Sequence, residues 1–344
     1  MNIPKKFLIN VVEPPITSFP HYASPLSLIY GYENAKKWFC NSYVNLYTDF
    51  RHLGNGEIKF RQELVMNYCP FLRFGAIDDY RYLTDKDITI DKLKNILCNN
   101  YALAINIDRY YIPSINKKYH LIHCVYLYGY DDEKEEFYIS DFASESGKFI
   151  FTTVPYNAMQ EALGIVKNSE YTFKNTSKKF FINLYGIHDS EYNFDIKQLH
   201  HKLKDYYNSE NTIDCVEMFD FYKMDDKVMW GLGVYRWLIE YMTVIKRESR
   251  SNIDIRPIYV LLDHKKAMLI RINYLQSENY IHNHDDLKQE YNMLSYRLSI
   301  LLSLAIKYNA TKKIEILDKM ISLVSNVIDL DRNATCHFIH SIST

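Results

Sequence analysis

The stretch HLIHCVYLYGYDDEKEEFYISDF, residues 120–142, constrains the fold more than any other part of the chain. Apolar Val125 and Leu127 alternate with Tyr126, which is the two-residue period of a β-strand. The acidic run GYDDEKEE predicts a tight turn, and FYISD predicts the returning strand. The sequence therefore predicts an antiparallel hairpin.

A histidine and an aspartate mark the open end of this hairpin. His123 begins the first strand and Asp141 ends the second, so we expect the two side chains to lie side by side. A neighbouring carboxylate holds an imidazole in one tautomer and stabilises its charged form, as a base in nucleophilic catalysis requires. Such a pair also occurs as a purely structural hydrogen bond, and spacing alone leaves both interpretations open.

The periodicity of the chain changes near residue 190. Before it, strand patterns such as YALAINID and KKFFINLYGI alternate with helical ones; after it, apolar residues recur three or four apart. We therefore expect an α+β protein, with a domain built on a central antiparallel sheet at 1–190 and a mostly α-helical domain at 191–344 packed against it. Charged residues lie among the apolar positions of the helix predicted from residue 256, and they would need partners if buried: Arg256, Asp263, His264 and Arg271.

Composition excludes several classes of protein. The 344 residues carry a net charge of −1, which gives no basic field for nucleic acid, and no segment reaches the ~20 apolar residues that span a membrane. The six cysteines are scattered without a CxxC pair, which is typical of free thiols in the cytoplasm. HNHDD (282–286) carries ligand-type residues but precedes a helix that its aspartates can cap. We expect no metal and no cofactor.

The first long helix is predicted to begin within HYASPLSLIY. Ser24 suits the N-cap, and Pro25 suits the first helical position, where its missing N–H costs nothing. His21 lies just before this start, either as a polar group of a cleft or as an ordinary loop histidine.

Several motifs together resemble one family. They are the PP opening (Pro14 and Pro15), the PLS helix start, YYIP (110–113), His123 with GYDD, SDF, and DIRPIYVLLDHKKAMLIRINYL (254–275). In this combination the chain is similar to the butirosin-H-like family, whose members have a papain-like fold of the C39-peptidase type and accompany nonribosomal-peptide pathways. The resemblance extends over nearly the whole length.

The resemblance implies roles for individual residues. His123 would be the general base and Asp141 its orienting partner, with a nucleophilic cysteine at the start of the first helix, where backbone amides stabilise a thiolate. HYASPLSLIY contains no cysteine. Ser24 and Cys69 are the alternative nucleophiles, although capping explains Ser24 and a buried structural thiol explains Cys69. The predicted substrate-contacting residues are His21, Tyr22 and Tyr126.

The implied function is acyl transfer in specialised-metabolite biosynthesis. A carrier-protein-bound acyl or peptidyl thioester would pass its acyl group to a small-molecule amine, either through an acyl-enzyme or by direct attack of an amine that His123 deprotonates. Hydrolysis of a thioester or peptide is the close variant. The alternative is a non-catalytic binding or scaffold protein that has lost the cysteine.

Overall fold

The computed structural model describes residues 3–49, 57–61, 69–77, 88–115, 117–143, 147–168, 182–211, 228–248, 252–281 and 285–342. Its strands are β1 (Lys6–Leu8), β2 (Leu46–Asp49), β3 (Ile58–Phe60), β4 (Leu72–Ile77), β5 (Tyr101–Asp108), β6 (Ile122–Asp131), β7 (Glu136–Phe142), β8 (Phe149–Pro155), β9 (Ile182–Ile187) and β10 (Val228–Trp230). Its helices are α1 (Pro20–Ile29), α2 (Glu33–Asn41), α3 (Ile90–Cys98), α4 (Tyr156–Asn168), α5 (Ile196–Asn208), α6 (Val234–Glu248), α7 (Arg256–Ser277), α8 (Asp285–Thr311) and α9 (Ile314–Ser341). The mixed α+β character, the antiparallel sheet and the helical C-terminal region are confirmed.

The chain forms two compact units, and each is discontinuous in sequence. Unit 1 comprises residues 1–35 and 66–191, and unit 2 comprises 36–65 and 192–344. Residues 36–65, which the expected boundary assigned to the first domain, therefore belong to the second unit.

Unit 1 is built on an antiparallel sheet in the order β4-β9-β5-β6-β7-β8, with β1 pairing the far end of β6. The predicted hairpin is β6 and β7, joined by a turn at residues 132–135. Gly129 lets β1 approach closely, because a Cβ there would meet the carbonyl oxygen of Phe7 at 2.6 Å. The open end of the hairpin lies at the start of β6, beside the end of β5.

The two faces of this sheet have different partners. Val125, Leu127 and Ile139 belong to the apolar core that includes Leu93 of α3 and Met159 of α4. Side chains on a strand alternate between faces. The residues between these core positions, such as Ser140, therefore face the other way, toward α1.

Helix α1 begins earlier than the sequence predicts. Its first residue is Pro20, after an extended Phe19 N-cap, so Ser24 is the fifth helical residue and Pro25 lies inside the helix. Pro20 offers the same pre-set φ and missing N–H that favoured Pro25, and the chain uses the earlier proline. Ser24 is therefore not a cap, and the expectation for the helix start was wrong.

Unit 2 combines the helices α5–α9 with a small antiparallel sheet in the order β10-β2-β3. Val228–Trp230, which lies in the region expected to be mostly helical, forms a strand, and Trp230 stacks on Tyr47 with ring centroids 5.3 Å apart. Gly231 ends that strand with a φ of +51°, and a Cβ there would meet the Tyr206 carbonyl at 2.1 Å. His282–His284 of the HNHDD motif lie outside the described residues, and Asp285 and Asp286 form the first turn of α8.

Cationic and imidazole side chains of unit 2 hold the end of α2 and the residues that follow it. Arg271 donates to the carbonyls of Cys40 and Ser42, Lys202 donates to the carbonyl of Asn41 at 3.0 Å, and His264 Nε2 lies 2.7 Å from the carbonyl of Val44. Carbonyls at a helix end lack intrahelical donors. These contacts therefore give Arg271 and His264 the partners that the sequence called for.

Among the described helices, none combines the length and the apolar character that a membrane crossing needs.

Candidate active site

The structure brings His123 and Asp141 together at the open end of the hairpin. His123 is the second residue of β6, and Asp141 is the next-to-last residue of β7. Nδ1 of His123 lies 3.7 Å from Oδ1 of Asp141, which is too long for a hydrogen bond. The imidazole is 35% exposed, whereas the carboxylate is fully buried. The predicted neighbours are close, and the ring remains accessible.

Asp141 has a second and nearer partner in Arg109. Arg109 Nε lies 2.9 Å from Oδ2 of Asp141, and its Nη2 donates to the carbonyl of Phe142. The Phe142 amide donates to Oδ1 of Asp141 at 2.7 Å. Arg109 reaches this position because a short 3-10 turn (109–111) continues directly from the end of β5. The carboxylate is thus held by a guanidinium and a backbone amide.

Burial shifts the pKa values of both members of the predicted pair. The pKa of His123 is lowered to about 4, chiefly by burial and then by the charge of Arg109. The pKa of Asp141 is raised to about 6, because burial outweighs the opposing effect of Arg109. Near pH 7 the imidazole is therefore neutral and able to accept a proton, and the carboxylate is ionised.

Ser24 does not meet this pair. Its side chain is buried, and its hydroxyl accepts a hydrogen bond from Ser140 Oγ at 3.2 Å. Ser140 and Asp141 are consecutive in β7, so their side chains point to opposite faces of the sheet. The Ser24 hydroxyl is accordingly directed at the Ser140 face and not at the carboxylate of Asp141.

The cysteines near the sheet are poor nucleophiles. Burial raises the pKa of both Cys69 and Cys124 to about 12, which leaves each thiol protonated at neutral pH. Cys69 also precedes β4, and three strand spacings, about 14 Å, separate β4 from β6 in the sheet order. Neither cysteine supplies the thiolate that a papain-like mechanism needs.

The predicted substrate-contacting residues differ in accessibility. Tyr22 is fully buried, and Tyr126 is buried with its ring 5.7 Å from that of Tyr185. His21 is partly exposed and stacks on Phe19 with centroids 5.1 Å apart. Tyr22 and Tyr126 thus act as core side chains, since an amphipathic ring at these positions fills the space between α1 and the sheet, and only His21 has the exposure that substrate contact needs.

Sequence reasoning missed a second histidine–aspartate pair at the same sheet edge. His120 lies in the loop before β6, since that strand begins at Ile122. Its Nδ1 is 2.6 Å from Oδ2 of Asp108, the last residue of β5. The signal was present, because Asp108 closes YALAINID as Asp141 closes FYISD, and β5 pairs with the start of β6.

We call these five residues the strand-end cluster: Asp108, Arg109, His120, His123 and Asp141. The segments that carry them, at the end of β5, the start of β6 and the end of β7, are neighbours in one sheet. Within the described part of the chain, no three His, Cys, Asp or Glu residues are grouped so that they could hold a metal ion. The cluster provides acid–base groups and one fixed cation.

Comparison with known proteins adds no assignment. The chain matches no protein-family model, and no curated protein is significantly similar to it.

Proposed function

We propose that unit 1 is a papain-like domain of the butirosin-H-like type, and that it forms an amide by passing an acyl group from a carrier-protein thioester to a small-molecule amine. The observation that carries this proposal is the approach of His123 to Asp141 at adjacent strand ends, with the ring 35% exposed. The resemblance of the chain to that family supports the substrate class. A cytoplasmic location belongs to the same proposal.

The proposed reaction needs no covalent acyl-enzyme. A thioester is already an activated acyl donor, so the amine can attack the carbonyl carbon directly once a base accepts its proton. His123 is that base, and its pKa of about 4 keeps it in the proton-accepting form at neutral pH. The buried Ser24 hydroxyl and the protonated thiols of Cys69 and Cys124 favour this route over a covalent one.

The test is amide formation from an acyl-loaded carrier protein and an amine, followed by mass spectrometry. We expect His123→Ala to lower the rate by about 10²-fold or more, the usual contribution of a general base. Ser24→Ala and Cys69→Ala should stay within about threefold of wild type, and intact-mass spectra should contain no acyl adduct. An adduct on Ser24 or Cys69, or a His123→Ala variant of unchanged rate, would reject this mechanism.

A second candidate is a binding protein without catalysis. Tyr22 and Ser24, in the first turns of α1, are buried, which favours this alternative because a papain-like nucleophile must meet substrate at the helix start. In that case wild type forms neither amide nor free acid, yet it binds the loaded carrier protein in calorimetry, and His123→Ala leaves the affinity unchanged. Release of free acid in place of amide would indicate hydrolysis.

A further inference from the structure

The pair of His120 and Asp108 has the construction of an acid–base dyad. The Asp108 carboxylate is fully buried, and its Oδ1 accepts hydrogen bonds from the amides of Tyr110 at 3.1 Å and Leu121 at 3.0 Å. Its Oδ2 is left for His120 Nδ1 at 2.6 Å. A carboxylate fixed in this way orients the imidazole, because the ring nitrogen beside it is held in one place.

The other edge of the His120 ring is open. The side chain is 49% exposed, and Nε2 has no hydrogen-bond partner among the described residues. The ring is held in place by Tyr110, whose centroid lies 4.3 Å away, and by Tyr111 at 5.8 Å. His120 therefore presents a positioned nitrogen to solvent and can exchange protons with water.

The dyad is connected to the His123 site through consecutive residues. Asp108 holds His120, and the next residue, Arg109, forms the ion pair with Asp141. The Arg109 amide also donates to the carbonyl of Leu121 at 2.9 Å, which fixes the loop that carries His120. Two consecutive residues at the end of β5 thus contact the two histidine–aspartate pairs.

Amide formation from an alkylamine requires two proton removals. At neutral pH the amine is an ammonium ion, which must lose one proton before its nitrogen can attack. A second proton leaves the nitrogen as the C–N bond forms and the C–S bond breaks. In the net reaction, a thioester and an ammonium ion give an amide, a free thiol and one proton, which is released to water.

We propose that His120, oriented by Asp108, removes the first proton and converts the ammonium form of the acceptor into the free amine. This inference rests on the proposed function and assigns the acceptor as an alkylamine that arrives protonated. His120 discharges the proton to solvent through its exposed edge. His123 accepts the second proton during attack and returns it to the departing thiolate, so atoms and charges balance.

Among the described residues, an aspartate and two tyrosines face the His120 ring. Asp108 faces it from β5, and the phenols of Tyr110 and Tyr111 face it from the 3-10 turn. Lys117, in the same loop, is engaged with Tyr119, its Nζ lying 3.4 Å from the hydroxyl oxygen. Asp108 is the carboxylate that orients the imidazole, which makes Asp108→Asn the matched variant for loss of orientation.

The experiment compares two acceptors, an alkylamine and methoxyamine, with the uncatalysed rate subtracted. Methoxyamine is already neutral at pH 7, so it does not need the first proton removal. We expect His120→Ala and Asp108→Asn to slow alkylamine transfer by about 10²-fold and methoxyamine transfer by less than about threefold. His123→Ala should slow both. His188→Ala, which changes an exposed histidine elsewhere in unit 1, is the control and should slow neither.

The outcomes separate the two proposals. Equal losses with both amines would indicate a merely structural role for His120, and unchanged rates would also overturn the inference. Wild type that transfers to neither amine would reject the proposed function itself, and this inference with it. Thermal melts of each variant identify any loss that arises from unfolding.

Discussion

Arg109 Nε lies 2.9 Å from Oδ2 of Asp141, whereas His123 Nδ1 lies 3.7 Å from Oδ1 of the same carboxylate. Asp141 therefore has its strongest contact with the guanidinium and holds the imidazole only loosely. The arrangement differs from the simple histidine–aspartate pair expected from the hairpin. The imidazole makes no hydrogen bond to this carboxylate.

The buried ion pair should dominate the stability of this end of the sheet. Arg109→Met removes the cation and leaves the Asp141 carboxylate buried, which typically costs about 3–5 kcal/mol. Urea denaturation of the variant measures that loss in the free energy of unfolding. Arg236→Met is the matched control, because Arg236 pairs with Glu240 on an exposed helix surface and should cost less than about 1 kcal/mol. Equal losses in the two variants would contradict the assignment.

His123 should make stability depend on pH in a defined direction. Its folded-state pKa of about 4 lies below the ordinary 6.5, so the unfolded chain binds the proton first. The contribution of His123 to the free energy of unfolding is therefore present above pH 6.5 and is lost as the pH falls toward 4. His123→Gln should thus gain stability relative to wild type over that window, by at most about 1.4 kcal/mol per pH unit. Because about a third of the His123 side chain is exposed, solvent screening makes the gain in unfolding free energy smaller than this maximum.

The pKa of Asp141 is shifted in the opposite direction to that of His123, so the pH dependence of an Asp141 variant checks the prediction for His123. Its folded-state pKa of about 6 lies above the ordinary 3.8, so its contribution is present below pH 3.8 and is lost as the pH rises through 6. Relative to wild type, Asp141→Asn should become less stable as the pH falls from 6 to 4. Unfolding free energies at several pH values test both variants, and curves that shift in the same direction would refute the shifts.

Ser24 should matter for packing and not for chemistry. Ser24→Ala removes the acceptor of the Ser140 hydroxyl in a buried place, so we expect a loss of about 1–3 kcal/mol in unfolding free energy. The double variant Ser24→Ala, Ser140→Ala removes both partners and should recover part of that loss. A double-mutant cycle with no coupling energy would show that the hydrogen bond does not form.

Lys265 and Asp331 form an ion pair in unit 2 with both side chains fully buried. Asp331 Oδ2 also accepts the hydroxyls of Tyr206 at 2.7 Å and Tyr235 at 2.8 Å, so the charge sits in a hydrogen-bonded network. Lys265→Met should cost about 3–5 kcal/mol, since it leaves a carboxylate buried without its cation.

Lys266 provides the control for the Lys265→Met variant. Lys266 is 58% exposed and lies 3.5 Å from Asp263, and Lys266→Met should cost less than about 1 kcal/mol. Chemical denaturation compares the two single variants. A smaller loss for Lys265→Met than for Lys266→Met would contradict the importance of the buried network.

Local signals predicted the hairpin because strand alternation and an acidic turn lie within one short segment. Because His123 and Asp141 lie at the start and the end of this hairpin, the same local signals predicted that they are close together. Arg109 was missed because its partner lies 32 residues further along the chain, and nothing in DRYYIP indicates that contact. The α1 start was misplaced because Pro20 and Pro25 carry the same local signal, and only packing chooses between them.

In the C-terminal region the helical periodicity predicted helices, and the structure has them except where a segment pairs with a strand far away in the sequence. Val228–Trp230 pairs with β2, which lies some 180 residues earlier in the chain, so its strand conformation is fixed by that pairing and not by its own pattern. Residues 36–65 likewise belong to unit 2, where side chains of α5 and α7 donate hydrogen bonds to their backbone carbonyls. Such long-range contacts leave no trace in a short window of sequence.

The carbonyls held by Arg271, His264 and Lys202 have a practical consequence for dissecting the molecule. The backbone passes between the two units three times, so neither can be excised as one uninterrupted fragment. A recombinant piece starting at residue 191 would retain these three donors but lack the carbonyls between residues 40 and 44 that they contact. Producing the helical unit alone therefore calls for grafting residues 36–65 onto it through a linker, and not for simple truncation.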